Sequence, residues 1–150
     1  MTKSIKHRFF FPHPAEVVWE YLTTPELMEL WLMKNTFQPT VGFDFQFRTT
    51  PIPSLNFDGI FYCKVLEIVP LKKLSYSWRS GPGEGKITLD SVVIWNLLPS
   101  DKGTELFLDH SGFSKAENLD FYNGLNHGWL EKFQKIAELL NASRHGTISV

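Results

Sequence analysis

Histidine is the side chain best suited to moving protons near neutral pH. This chain carries five, at positions 7, 13, 110, 127 and 145. None of them pairs at metal-ligand spacing, and the lone Cys63 adds no cluster. The sequence therefore predicts no metal and no cofactor. His110 is the histidine placed for chemistry: in the run Thr104-Glu105-Leu106-Phe107-Leu108-Asp109-His110 it shares strand parity with Leu106 and Leu108. If those leucines face a core, His110 projects there too, as a general base, as an orienter of a ligand carbonyl, or as a hydrogen-bonded structural histidine near the strand end. Tyr76 and Trp78 alternate with Ser75, Ser77 and Arg79, which turns both rings inward beside Leu74. Ring stacking, one phenolic hydrogen bond or plain core packing are the roles open to them.

Other chemistries lack their residues. There is no hydrolase elbow, phosphate-binding loop or cofactor fingerprint. Gly81-Pro82-Gly83-Glu84-Gly85 has neither the strand-to-helix setting nor the Gly-Lys-Ser/Thr ending of a phosphate loop, and reads as a hairpin turn. No carboxylate pair falls at inward positions, and Arg48, Arg79 and Asp90 read as solvent-facing charges. Cys63 has no partner for an internal disulfide and sits in a strand-like run, as a buried thiol does.

The elements that must position these residues follow from periodicity. From about Asp120 to Ala142, a step of about 100° per residue gathers Phe121, Tyr122, Leu125, Trp129, Phe133, Ile136, Ala137 and Leu140 on one arc. His127, Glu131, Gln134 and Glu138 fall opposite, which predicts an amphipathic helix with one buried face. Gly124 and Gly128 lie one turn apart at the edge of the apolar arc, each costing about 1 kcal/mol relative to alanine. Tight packing on a sheet would offset that loss; so would a cavity wall. Asn126 falls within the apolar arc, where its amide needs a protein or ligand partner.

Upstream, Ser4 to Phe11 reads as a strand stopped by Pro12 and Pro14, and the run from Ala15 to Leu22 as a short helix. Thr24-Pro25-Glu26 restarts a second short helix under a threonine cap, with Leu27, Leu30 and Trp31 on one side. The period then changes to two: Phe43, Phe45 and Phe47 alternate with Asp44, Gln46 and Arg48. Strands are predicted at about Phe57 to Val69, Leu74 to Arg79, Lys86 to Leu98 and Thr104 to Gly112, joined by hairpin-length turns and hence antiparallel. Ser143 to Val150 reads as a loose tail.

With 150 residues, 43% of them hydrophobic, the chain reads as one domain. A net charge of -1 and no basic run exclude an electrostatic footprint for nucleic acid. No stretch approaches the ~20 apolar residues of a membrane span, and the start lacks the hydrophobic region of a secretory signal, so a cytoplasmic location is expected. The 13 Phe, 5 Trp and 4 Tyr supply wide flat surface that fills a core or lines a pocket.

The ordered residues also resemble a family. Phe11-Pro12-His13-Pro14-Ala15-Glu16-Val17-Val18-Trp19, then Leu22-Thr23-Thr24-Pro25-Glu26-Leu27 through Trp31, resemble the opening of the START-like (SRPBCC) superfamily. Within it they resemble relatives of the C-terminal domain of the heat-shock protein 90 ATPase activator. Val41-Gly42-Phe43-Asp44-Phe45, the run from Gly59 to Pro70 leading to Leu74-Ser75-Tyr76-Ser77-Trp78, and Gly103-Thr104-Glu105-Leu106 through His110-Ser111-Gly112-Phe113 continue it. Gly128-Trp129 and the helix behind them complete it, over about residues 5 to 141. The resemblance implies an α+β helix-grip fold: a curved antiparallel sheet of six or seven strands around a long C-terminal helix, with two short helices after the first strand. It implies a cavity between sheet and helix, narrowed where Phe43 replaces a glycine common in the family. The superfamily includes carriers, receptors, cyclases, hydrolases and chaperone partners, so chemistry does not follow from the fold.

The expected partner is a small hydrophobic or aromatic molecule in that cavity, against Trp31, Phe45, Phe47, Tyr76, Trp78, His110, Leu125, Asn126, Gly128 and Trp129. Two alternatives stand beside it. One is a chaperone-associated interaction role on the outer surface; the other is a cyclase- or hydrolase-like enzyme with His110 as base and Asn126 or Tyr76 as orienter.

Overall fold

The computed structural model describes the backbone of residues 3–115 and 118–148, and side chains as far as residue 142. Its elements are β1 (Lys3–Phe11), α1 (Ala15–Thr23), α2 (Pro25–Trp31), β2 (Lys34–Asn35), β3 (Asp44–Arg48), β4 (Ile60–Val69), β5 (Lys73–Ser80), β6 (Leu89–Ser100), β7 (Gly103–Phe113) and α3 (Leu119–Ile148). The strands form one antiparallel sheet in the order β1-β7-β6-β5-β4-β3-β2. This is the helix-grip arrangement, with α3 laid across one face.

Alternation decides which side chains meet α3. Phe45 and Phe47 on β3, Leu74, Tyr76 and Trp78 on β5, Val93 and Trp95 on β6, and Leu106, Leu108 and His110 on β7 are all buried. Their neighbours Asp44, Lys64, Arg79, Asp90 and Asn96 are exposed. On α3 the predicted arc holds: Phe121, Trp129, Phe133, Ile136 and Leu140 are buried, while His127, Glu131, Gln134 and Glu138 are exposed. Phe133 stacks on Phe9 at 5.9 Å and meets Trp95 edge-on, joining the helix to β1 and β6.

Several boundaries differ from the periodic reading, each for a local reason. Strand β4 starts at Ile60, not near Phe57, because Phe57 bridges back to Ile52 and Gly59 turns the chain at φ +89°. A Cβ at Gly59 would stand 2.6 Å from the Thr49 carbonyl oxygen. Strand β6 starts at Leu89 and not at Lys86, since Lys86 closes a small turn with Gly83. The two-residue β2 carries too little pattern to be read from sequence. Thr24 does precede α2, but its side chain makes no capping bond; its carbonyl takes the amides of Leu27 and Met28. Helix α3 continues to Ile148, beyond the predicted end at Ala142, so the expected loose tail is helical through that point. Residues 149–150 lie outside the described residues.

The glycine pair also departs from the packing reading. A Cβ added at Gly124 or Gly128 would meet nothing within 4 Å, so neither serves a close crossing on the sheet. Both keep their helical cost of about 1 kcal/mol without a contact in return. Gly124→Ala and Gly128→Ala are each expected to raise stability by about that amount, measured by thermal or urea unfolding. A lower melting temperature in either variant would show that the helix needs the space.

Candidate functional site

The interior layer is built from the inward positions of five strands, β3 to β7, and one face of α3. Trp78 stands at its centre, ringed by Phe61 at 4.3 Å, Phe47 at 5.3 Å, His110 at 5.4 Å and Trp129 at 5.5 Å between ring centres. Trp95 lies edge-on to Trp129 at 5.4 Å and to Trp31 at 5.9 Å. Phe45 and Phe47 pack on Tyr76. Trp78, Phe47 and His110 are 0% exposed, and Tyr76 and Trp95 are 1% exposed. A water-sized sphere thus has essentially no access to these side chains, and the space between sheet and helix beside them is filled by their rings.

Three indole N–H groups in this layer donate to protein acceptors. Trp31 Nε1 donates to the Tyr21 carbonyl at 2.7 Å, Trp95 Nε1 to the Tyr76 hydroxyl at 2.9 Å, and Trp129 Nε1 to His110 Nδ1 at 3.1 Å. The last bond belongs to a chain. Ser91 Oγ donates to the Trp78 carbonyl at 2.7 Å, which uses its only proton, so at 2.8 Å it accepts from His110 Nε2. The relay therefore runs Trp129 to His110 to Ser91 to the Trp78 carbonyl, and it sets His110 as the neutral tautomer with its proton on Nε2. Burial agrees with this geometry, since desolvation pushes the His110 pKa down to about 3. Burial likewise raises the Tyr76 and Cys63 pKa values.

The consequence for chemistry is direct. A general base needs a free lone pair facing substrate, whereas the Nδ1 lone pair already takes the Trp129 proton. Tyr76 is engaged with Trp95 and makes no bond to His110. The arrangement expected of His110 as base with Tyr76 as orienter is not assembled in the closed structure.

The remaining sequence-predicted site residues lie nearer the surface. Leu125, Asn126 and Gly128 are half-buried. The Asn126 carbonyl lies 3.1 Å from His7 Nε2, a contact that ties α3 to β1. His127 is exposed beside Glu131 at 3.5 Å. Two concavities of about 580 Å³ lie on the far face of the sheet, one lined by residues such as Gln46, Tyr62, Lys64 and Arg79, the other by Lys6, Arg8, Asn96, Phe107 and Asp109. Among the described residues no helix is long and apolar enough to cross a membrane.

The model of one protein family, described as activator of Hsp90 ATPase homolog 1-like protein, matches residues 12–141. The chain belongs to this family. Among solved structures, protein MLL2253 from Mesorhizobium loti is similar at 35% identity and a TM-score of 0.82, covering 93% of this chain and 98% of that one. CalU16 from Micromonospora echinospora is similar at 22% identity and a TM-score of 0.72, covering 93% of this chain and 74% of that one. The Aha1 dimer from Colwellia psychrerythraea is similar at 19% identity and 0.74, covering 91% and 94%. The last two likenesses concern the fold alone. No curated protein matches the chain.

Two groups in this Hsp90-activator-like domain were not legible in the sequence. The indole Nε1 of Trp78 and the hydroxyl of Ser80 are buried and have no hydrogen-bond partner among the described residues. Strand parity places both on the inner face of β5, yet parity carries no information about partners. A buried polar group left unpaired costs about 1–3 kcal/mol. Ser80→Ala is thus expected to stabilise the domain by about 1 kcal/mol in urea unfolding; a loss of stability would show that the hydroxyl has a partner.

His110 yields a pH prediction. Its folded pKa of about 3 lies below the ordinary histidine value of about 6.5. Between those two values the unfolded chain binds a proton that the folded one refuses, so stability rises with pH across that window. The contribution is complete above about pH 6.5 and declines by up to about 1.4 kcal/mol per pH unit as pH falls toward 3. His110→Leu should be less stable at neutral pH, because Ser91 and Trp129 lose their partner, and its stability should fall less steeply between pH 6.5 and 4. Parallel stability-pH curves for the two proteins would overturn the assignment.

Proposed function

We propose that this domain binds a small, apolar, ring-containing molecule between the sheet and α3, without catalysing a reaction on it. The observation that carries this reading is the cover over the aromatic layer. The half of α3 next to Trp129 contains Gly124 and Gly128, whose cost in helix stability no packing contact offsets. A helix softened there opens at lower cost, and opening withdraws Phe121 and Trp129 from the rings of Phe61 and Trp78. The space so released is bounded by Phe45, Phe47, Tyr76, Trp78 and Trp31, with His110 and the half-buried Leu125, Asn126 and Gly128 at its margin. Aromatic walls with a few fixed polar groups suit a flat apolar ligand.

Native mass spectrometry of the freshly purified protein, with tryptophan fluorescence and melting curves against ring compounds, tests this reading. Bound compounds should quench or shift the emission of Trp78 and Trp129 and raise the melting temperature. The double variant Gly124→Ala and Gly128→Ala should bind several-fold more slowly, since a stiffer cover opens less often.

The closed interior favours a second reading, in which the domain acts through its outer surface as a protein-interaction module of the kind the family description names. Its test is separate. Should no ring compound bind while the chain associates with Hsp90 and alters its ATPase rate, the interaction reading leads.

A further inference from the structure

We infer that Trp78 Nε1 and Ser80 Oγ form a recognition subsite for an uncharged ring compound carrying an acceptor oxygen, such as a ketone or quinone carbonyl. The inference rests on the ligand-binding reading above and names the ligand class it would take. Four tryptophans are buried in this core, and three of them donate to a protein acceptor. Trp78, with the most central ring, is the exception. Among the described residues, buried hydroxyls show the same contrast: Ser91 donates to the Trp78 carbonyl and Thr104 to the His13 carbonyl at 2.8 Å, while the Ser80 hydroxyl has no partner. The two unpaired groups sit two residues apart on one face of β5, about 7 Å along the strand.

The chemistry of the partner follows from the donors and their surroundings. An indole N–H only donates, so its partner must be an acceptor; a hydroxyl can donate a second bond to the same oxygen or to a neighbouring one. Among the described residues the buried polar set is His13, Ser75, Ser80, Ser91, Thr104, His110 and Asn118, without a lysine, arginine or carboxylate. In the closed structure His110 is neutral, bonded to Ser91 and Trp129, and withdrawal of Trp129 would expose only its Nδ1 lone pair, an uncharged acceptor. A carboxylate or ammonium ligand would lose its hydration there with no opposite charge in return. The rings of Phe47 and Phe61 flanking Trp78 suit a flat apolar body attached to the acceptor.

Calorimetric titration of the full chain with 9-fluorenone, fluorene and fluorene-9-carboxylate tests this, because the three share a ring system and differ at one position. The wild type should bind fluorenone at least tenfold more tightly than fluorene, and the carboxylate at least tenfold more weakly than fluorenone. Trp78→Phe keeps a ring and removes the N–H; Ser80→Ala removes the hydroxyl. Each should bring the fluorenone-to-fluorene ratio within about threefold of unity and leave fluorene binding in place. Ser80→Ala alone carries the test if Trp78→Phe fails to fold. Equal binding of fluorenone and fluorene by the wild type overturns the subsite while the ligand-binding reading stands. A ratio that survives both substitutions overturns the assignment to these two groups, and carboxylate binding as tight as that of fluorenone overturns the restriction to uncharged ligands. Failure of all three compounds to bind removes the subsite and the ligand-binding reading together.

Discussion

The relay from Trp129 through His110 and Ser91 to the Trp78 carbonyl is the directional constraint around which the rest of the core is arranged. It ties α3 to β7, β6 and β5 in one continuous chain of donors and acceptors. Aromatic burial supplies most of the favourable free energy, but flat rings tolerate sliding, and dispersion alone does not choose one rotation of a helix over a sheet. A buried N–H that must meet one lone pair does choose. Each bond in the relay is worth only about 1 kcal/mol net, yet leaving any member unpaired costs more than that, which makes the arrangement close to all-or-none. His110 suits its centre because neutral imidazole offers one donor and one acceptor on opposite sides of a small ring.

That role explains why a residue selected for its chemistry has none to offer in the closed state. Imidazole positioned to receive the Trp129 proton and to give its own to Ser91 has no lone pair left for a substrate. Protonation would place a second hydrogen on Nδ1, pointing at the Trp129 N–H, so the same bonds that hold the helix also oppose the charged form. Burial and hydrogen bonding act here in the same direction, and the low pKa follows from structure as well as from desolvation.

What was legible in the sequence is what periodicity encodes. The alternation at Phe45 and Phe47, the parity of Tyr76, Trp78 and His110, and the arc from Phe121 to Leu140 each reported the correct face, because every one of these elements is half-buried and the pattern has to follow. Partners were not legible. Nothing at position 110 says that its neighbours across the sheet and on the helix are a serine and a tryptophan, since those residues lie 19 positions away in each direction. The glycines of α3 were visible, but whether space or contact surrounds them depends on how the sheet curves away. The missed β2 reflects the opposite problem: a strand of two residues is too short to carry a pattern.

The unpaired groups invert the logic of the relay. A core able to satisfy three of its four buried tryptophans and to settle Ser91 between two partners leaves the Trp78 N–H and the Ser80 hydroxyl without any among the described residues. Alanine at position 80 would fill much of the same volume without the desolvation cost. The adjoining helix segment carries two further residues, Gly124 and Gly128, for which alanine would be better in the folded state and the space to hold it exists. The costs thus belong to the unpaired groups of Trp78 and Ser80 on β5 and to the α3 turns leading to Trp129, whose ring rests against Trp78. Costs gathered in one place and unreturned by the closed structure are what the proposed ligand-bound state would return. In that proposed state the cover moves and an acceptor reaches Trp78.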